Sequence, residues 1–322
     1  MRSQGILTRW LAVFMLAVPL AIGQAAAQGS GQTRLLVGYS TGSVTALVAE
    51  LIHPVLEEVL DDWVVVQAVP GARGIEAARA TRDAEADGRT LLVADNLSLA
   101  VNDVAGTGVS MTDLTPIAKV TVGISVALVT RDRDGIEDWA ALVEKATSQP
   151  VSLSVTGRNS AYGIAWSMME RGAGLAFVSS VRNGDDLILA DVIEGRTEVG
   201  LVTTNSIPVF NDRPNVKLRP LVTFGAARSA LFPDVPVFAE HTGDDKDDFT
   251  YSFAIYGPPD LDAETVSRLA AAIRTAVEDD RTQTLAAAKK IPLLFFDADT
   301  VRETLARDRS VAERLKNALQ TE

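Results

Sequence analysis

Short apolar runs of strand length alternate along this chain with longer stretches of helical period. That rhythm constrains the fold more than any other feature, because it asks for βα units and mainly parallel sheets. Residues 34–38 (RLLVG) read as the first strand, and residues 44–60 as a helix with Val44, Leu47, Val48, Leu51, Val55, Leu56 and Val59 on one face. Further strands are expected at 63–68, 90–94, 124–130, 151–156, 199–203, 218–223 and 250–256. The expected helices cover 75–84, 137–147, 161–171, 185–194 and 263–277, with a closing helix after Asp299. The fold class is α/β.

The first residues carry a different signal. Arg2 and Arg9 precede the unbroken apolar run 10–22, and Gly23-Gln24-Ala25-Ala26-Ala27 follows it. A basic start, a short apolar stretch and an Ala-x-Ala end describe a secretory signal peptide over residues 1–27, cleaved after Ala27. The run is shorter than the roughly 20 residues that cross a bilayer. The expected location is the periplasm, with Gln28 as the mature N-terminus. The chain has no cysteine, so neither a thiolate metal site nor a lipid-modified cysteine is available.

About 295 residues then remain, more than one hydrophobic core comfortably serves. No internal repeat or low-complexity linker separates two halves, so lobes joined by crossing strands are expected. Lobe 1 is placed at 34–124 and 224–322, lobe 2 at 125–223, with the connections near Ile124 and Leu221. Loss of Arg2 and Arg9 takes the formal charge from −12 to −14, which disfavours nucleic-acid partners. Small anions are not excluded, since they sense charges only within a Debye length of about 8 Å.

Two strand-to-helix junctions share one design: Tyr39-Ser40-Thr41-Gly42-Ser43-Val44-Thr45 and Thr156-Gly157-Arg158-Asn159-Ser160. Each joins glycine to hydroxyl or amide side chains at a helix start, where free N–H groups and the helix dipole attract anions. In open α/β sheets ligands bind beyond the carboxyl ends of the strands. The candidate ligand-binding residues are therefore Thr41, Gly42, Ser43, Thr45, Gly157, Asn159 and Ser160. Asn96, after the third strand, and Thr204 and Asn205, after 199–203, join them. Ser160 is expected both to cap helix 161–171 and to border the ligand. No metal site, cofactor or catalytic residue is expected. The acidic loop 244–248 lacks the ligand spacing of a calcium site.

Gly38-Tyr39-Ser40-Thr41-Gly42 also matches the G-x-S-x-G elbow of serine hydrolases. Ser40 would need a histidine base. Only His53, inside the first helix beside Pro54, and His241, in a loop-like stretch, are present, and a single strand precedes the elbow.

The order of these motifs resembles the Bug-type receptors, the periplasmic solute-binding subunits of tripartite tricarboxylate transporters. The family pattern R-P-G-A-G-G-x-x-G-A appears as Val69-Pro70-Gly71-Ala72-Arg73-Gly74-Ile75-Glu76-Ala77-Ala78, and P-D-G-Y-T-L-L is recognisable in Ala86-Asp87-Gly88-Arg89-Thr90-Leu91-Leu92. The stretch R-S-x-x-x-P-D-V-P is intact from Arg228 to Pro236. The chain departs from the family where Asp, His and Lys are replaced by Ala46, Gly163 and Asn183. The resemblance implies a two-lobe, Venus-flytrap fold of the type II-like periplasmic binding-protein kind, with the ligand in a cleft between lobes. It further implies a monomeric receptor that holds a small carboxylate through loop N–H groups and delivers it to integral-membrane permease subunits. A ligand-binding module for a sensor kinase is the alternative, with the Ser40 hydrolase behind it.

Overall fold

The computed structural model describes residues 31–121, 125–132, 135–225, 227–243 and 252–319. The leader at 1–27, the connection at Ile124 and the acidic loop 244–248 lie outside them. In chain order, β1 (Gln32–Val37), α1 (Val44–Leu60), β2 (Trp63–Ala68), α2 (Ile75–Arg82), β3 (Thr90–Asp95) and α3 (Asn96–Val104) form three successive βα units. Then come β4 (Thr115–Thr121), β5 (Val126–Arg131), α4 (Trp139–Ser148), β6 (Val151–Val155), α5 (Ala161–Ala173), β7 (Phe177–Val181), α6 (Asp185–Glu194), β8 (Val199–Thr203), α7 (Ser206–Asn211) and β9 (Leu218–Phe224). The chain closes with α8 (Phe238–Thr242), β10 (Phe253–Gly257), α9 (Ala263–Glu278), α10 (Asp280–Ala288), β11 (Leu293–Phe296) and α11 (Ala298–Leu319).

The strands divide into two sheets, ordered β11-β4-β10-β3-β1-β2 and β7-β6-β8-β5-β9. The chain crosses between them twice, from β4 to β5 and from β9 back to β10. Both sheets are mixed, which corrects the expectation of mainly parallel ones. β1 runs parallel to β2 and β3, and β6 to β7 and β8, whereas β10, β11, β5 and β9 pair antiparallel. β10 and β11 run against the other strands of the first sheet, and β5 against the other strands of the second.

The central strands are buried runs because helices cover both faces. Leu35, Val37, Leu91 and Val93 in the first sheet, and Leu128, Leu153 and Leu201 in the second, are fully buried. α1 packs Val48, Ile52 and Leu56 on the first sheet. Its Pro54 lacks the N–H that would bond the Glu50 carbonyl, and His53 Nδ1 donates to that carbonyl at 3.0 Å instead. His53 is thereby a structural residue of the helix.

β4 departs from the sequence reading because Pro116 and Lys119 interrupt its apolar pattern. Pro116 is accommodated near the strand start, where the pairing with β10 shifts register. β7 is an exposed edge strand carrying a serine pair, too short and polar to stand out.

Candidate functional site

Four helices begin at the seam between the sheets: α1 and α3 behind β1 and β3, α5 and α6 behind β6 and β7. Their loops touch across the seam. Ser40 N–H donates to the Asn183 carbonyl at 3.1 Å, and Ser40 Oγ to Asp186 Oδ1 at 2.5 Å. Asn183 Nδ2 reaches the Gly38 carbonyl at 3.4 Å, and Arg73 Nε the Asn159 carbonyl at 3.1 Å. The Ala161 N–H, first of α5, donates to Ser98 Oγ of α3 at 3.4 Å. Gly184 makes the approach possible. It sits at φ 140°, and a Cβ there would stand 2.3 Å from Ser40 Oγ.

The four helix ends are not alike. α1 and α5 carry serine caps, Ser43 accepting from Ala46 N–H and Ser160 from Gly163 N–H, and neither has an acid in its first turn. α3 is capped by the carboxylate of Asp95, and α6 opens with Asp185 and Asp186. Asp95 and Asp185 are 1% and 4% exposed. Burial pushes the Asp185 carboxyl up, against hydrogen bonds from Ser206, Tyr162 and Thr203. Tyr162 Oη donates to Asp185 Oδ1 at 2.5 Å, and Tyr39 Oη to Asp95 Oδ2 at 3.3 Å. Burial first, and then these carboxylates, hold both phenols well above their ordinary range.

Two small cavities flank Tyr39. The first is lined by Tyr39, Ser43, Val44, Thr45, Thr156, Tyr162, Gly184, Asp185, Thr203 and Phe253. The second is lined by Gly38, Tyr39, Arg73, Gly74, Asp95, Ser98 and Asn102, among others. Each holds about 10 Å³, the room a single water needs.

The residues singled out from sequence distribute unevenly. Ser43 and Thr45 line the first cavity, and Thr41 and Gly42 are exposed. The Asn159 carbonyl receives Arg73, while the 157–160 turn folds over the start of α5. Ser160 is 1% exposed, and its hydroxyl hydrogen goes to the Gly157 carbonyl at 2.7 Å. Asn96 is buried between Tyr256 Oη, at 2.6 Å, and Ser252 Oγ, at 3.4 Å. Thr204 and Asn205 line neither cavity. They border a separate groove of about 550 Å³ against residues 283–294, and Asn205 Nδ2 bonds the Lys290 carbonyl.

Tyr39, Asp95, Arg73, Tyr162 and Asp185 reach the seam without having been chosen as site residues. Asp95 showed only as a strand end and Asp185 only as a helix start, and neither pattern reveals burial. Arg73 carries one visible signal: it stands where the family motif has glycine. It adopts φ 60°, next to Ala72 at φ 42°, a backbone region that costs a non-glycine residue about 1–2 kcal/mol.

One departure from the family pattern, Gly163, has a local cause. A side chain at Gly163 would collide with the Arg158 carbonyl, 1.8 Å from the Cβ position. Arg158 turns back along α5, pairing with Glu170 at 2.5 Å and covering the Trp166 ring at 3.2 Å. Arg182 and Arg196 clamp the buried Asp191 at 2.7 and 2.6 Å. Burial raises that carboxyl, but hydrogen bonds from Arg196, Ser154 and Arg182 bring it below its ordinary range.

The hydrolase alternative finds no support at Ser40, whose hydroxyl donates to Asp186. His241 lies in α8, not in a loop, and stacks on Trp139 with ring centroids 5.2 Å apart.

Comparison with known proteins agrees with this architecture. A UPF0065 protein of Bordetella bronchiseptica is 29% identical over 236 residues, 72% of this chain and 70% of that protein. BugT of Bordetella pertussis is 26% identical over 246 residues, 73% of this chain and 74% of that one. The solved structure of the periplasmic binding protein BugD superposes with a TM-score of 0.79 at 17% identity, over 89% of this chain and 97% of that one. An R. palustris protein solved with adipate reaches 0.80 at 19%, over 91% and 98%. MatC from Rhodopseudomonas palustris with bound malate reaches 0.74 at 19%, over 87% and 99%. These likenesses show the two-lobe binding-protein fold. The family model described as the tripartite tricarboxylate transporter family receptor, TctC, matches residues 48–313, and the chain belongs to that family.

Proposed function

We propose that this protein is a periplasmic receptor that captures a small organic acid between its lobes and delivers it to the permease subunits of a tripartite transporter. One observation carries the reading: α1 and α5, one from each sheet, bring serine-capped, acid-free N-termini to a single seam. Free N–H groups and the positive dipole end there suit a carboxylate. Thr41, Gly42, Ser43, Thr45, Gly157 and Asn159 supply the loops, and Ser160 shapes the second one. Relatives of the same fold are described with adipate and malate, which supports an acid of that size. Export follows from the leader at 1–27. The lobes are taken as 34–124 with 224–322, and 125–223, since β1–β4 share one sheet with β10 and β11.

The test is a thermal-shift screen over mono-, di- and tricarboxylates. A ligand at 100 times its Kd adds about 2.7 kcal/mol, a Tm rise of roughly 5 °C for a chain of this size. Absence of any shift across the acids would overturn the reading.

A further inference from the structure

Ser40 is held from across the seam on two atoms. Its N–H donates to the Asn183 carbonyl at 3.1 Å, and its Oγ to Asp186 Oδ1 at 2.5 Å. The other oxygen of that carboxylate lies over the first loop, where a Cβ on Gly42 would stand only 2.7 Å from Asp186 Oδ2. On the opposite side a Cβ on Gly184 would stand 2.7 Å from Oδ1. A glycine on each side of the contact thus leaves the room that the carboxylate takes.

The two acids that open α6 face different ways. Asp185 turns inward, to Thr203, Ser206 and Tyr162. Asp186 turns outward, to the loop that leads into α1. α1 has no acid in its own first turn, so Asp186 brings a carboxylate to a helix start that carries none. The positive end of α1 favours an acid there, as the start of α6 does.

Size turns this contact into competition. The cavities flanking Tyr39 hold about 10 Å³ each, the room for one water. A ligand acid group has three heavy atoms, so it reaches Ser40 and Gly42 only as Asp186 leaves them.

Resting on the receptor reading above, we propose that Asp186 is a tethered acid that occupies the first loop in the ligand's place and so sets the receptor's affinity. Binding takes place in the fraction of molecules whose Asp186 is displaced, and the apparent Kd rises as that fraction falls. A hydrogen bond to a charged group is worth roughly tenfold to hundredfold in such an equilibrium. A receptor built this way passes over weakly held acids and responds to those that bring enough contacts to displace its own.

Calorimetry and stopped-flow binding on the exported protein test this with succinate, adipate and citrate. For each acid that binds, Asp186→Ala should lower Kd by about tenfold or more. The gain should lie in the association rate, with dissociation within about threefold of the parent's, because the competent fraction has grown. A change in direct ligand contacts moves dissociation instead. Asp186→Asn leaves Ser40 a neutral acceptor, about half as strong, and should gain in the same direction by less. An acid held by the alanine variant but not measurably by the parent counts as the same result. If Asp186 only supports the start of α6, its loss lowers the unliganded Tm and leaves Kd and rates unchanged. That result, or weaker binding by the alanine variant, would overturn the inference and leave the receptor reading standing. Failure of all three acids to bind the parent and both variants would overturn both.

Discussion

Replacing Ser160 with alanine tests how the second loop is built. Its hydroxyl accepts the Gly163 N–H at 3.1 Å and the Thr156 hydroxyl at 2.8 Å, and donates to the Gly157 carbonyl at 2.7 Å. Ser160→Ala removes the cap of α5, worth about 1 kcal/mol. It also strands the buried Gly157 carbonyl, at about 1–3 kcal/mol, since the Thr156 hydroxyl can rotate but a carbonyl cannot. The expected loss is about 2–4 kcal/mol. Urea unfolding followed by circular dichroism measures it, and the Tm should fall by roughly 4–8 °C. Affinity should move little, within about threefold or ~0.6 kcal/mol, because the single hydroxyl hydrogen is already committed to Gly157. A stability loss below about 0.5 kcal/mol, roughly half the worth of one hydrogen bond, would refute the capping role. A tenfold or larger rise in Kd on the folded variant would show that Ser160 contacts ligand after all, as the sequence pattern alone suggests.

Three further outcomes are expected. Burial lifts the Asp308 carboxyl to about 6, so between about pH 4 and 6 the folded chain keeps a proton that the unfolded chain has released. The stability tied to that proton is full below pH 4 and lost as the pH rises through 6. Asp308→Asn should therefore be more stable than the parent by about 1–3 kcal/mol at pH 7.5 and equal to it near pH 4; an equal difference at both would refute the assignment. Gly184→Ala adds a strained φ and clashes with Ser40 and Asp186, and should cost about 1–3 kcal/mol; Ser40→Gly in the same chain should restore only the Ser40 part of the clash. Ligand Kd should change less than about tenfold between low and physiological salt, since enclosed charges are weakly screened, and calorimetry at two ionic strengths checks it.

The sequence made the α/β class and the helix-start loops legible, because strand length, helical period and Ser or Gly at a junction are local properties. Ser160 was identifiable as a cap for that reason. The pairing around the two cavities was not legible. Tyr39 meets Asp95 across 56 positions, and Tyr162 meets Asp185 across 23, and nothing local marks those side chains as partners. β4 stayed hidden behind Pro116, whose placement depends on a register shift supplied by β10. Thr204 and Asn205 looked equivalent to the other junction residues, yet α7 turns them toward Lys290 and the opposite groove.

The double crossing of the chain also sets an order of assembly. All five strands of the second sheet lie between Val126 and Phe224, so they can pair as soon as that stretch is available. The first sheet cannot, because β10 belongs in its middle, between β3 and β4. Until β10 is delivered, β3 presents an open edge and β4 has no neighbour on that side, the kind of exposed strand that invites pairing with other chains. A chain stopped near residue 225 would hold one finished half and one divided half. The last third of the polypeptide thus governs when the first third may fold, and the newly delivered protein remains vulnerable until its C-terminal strands arrive.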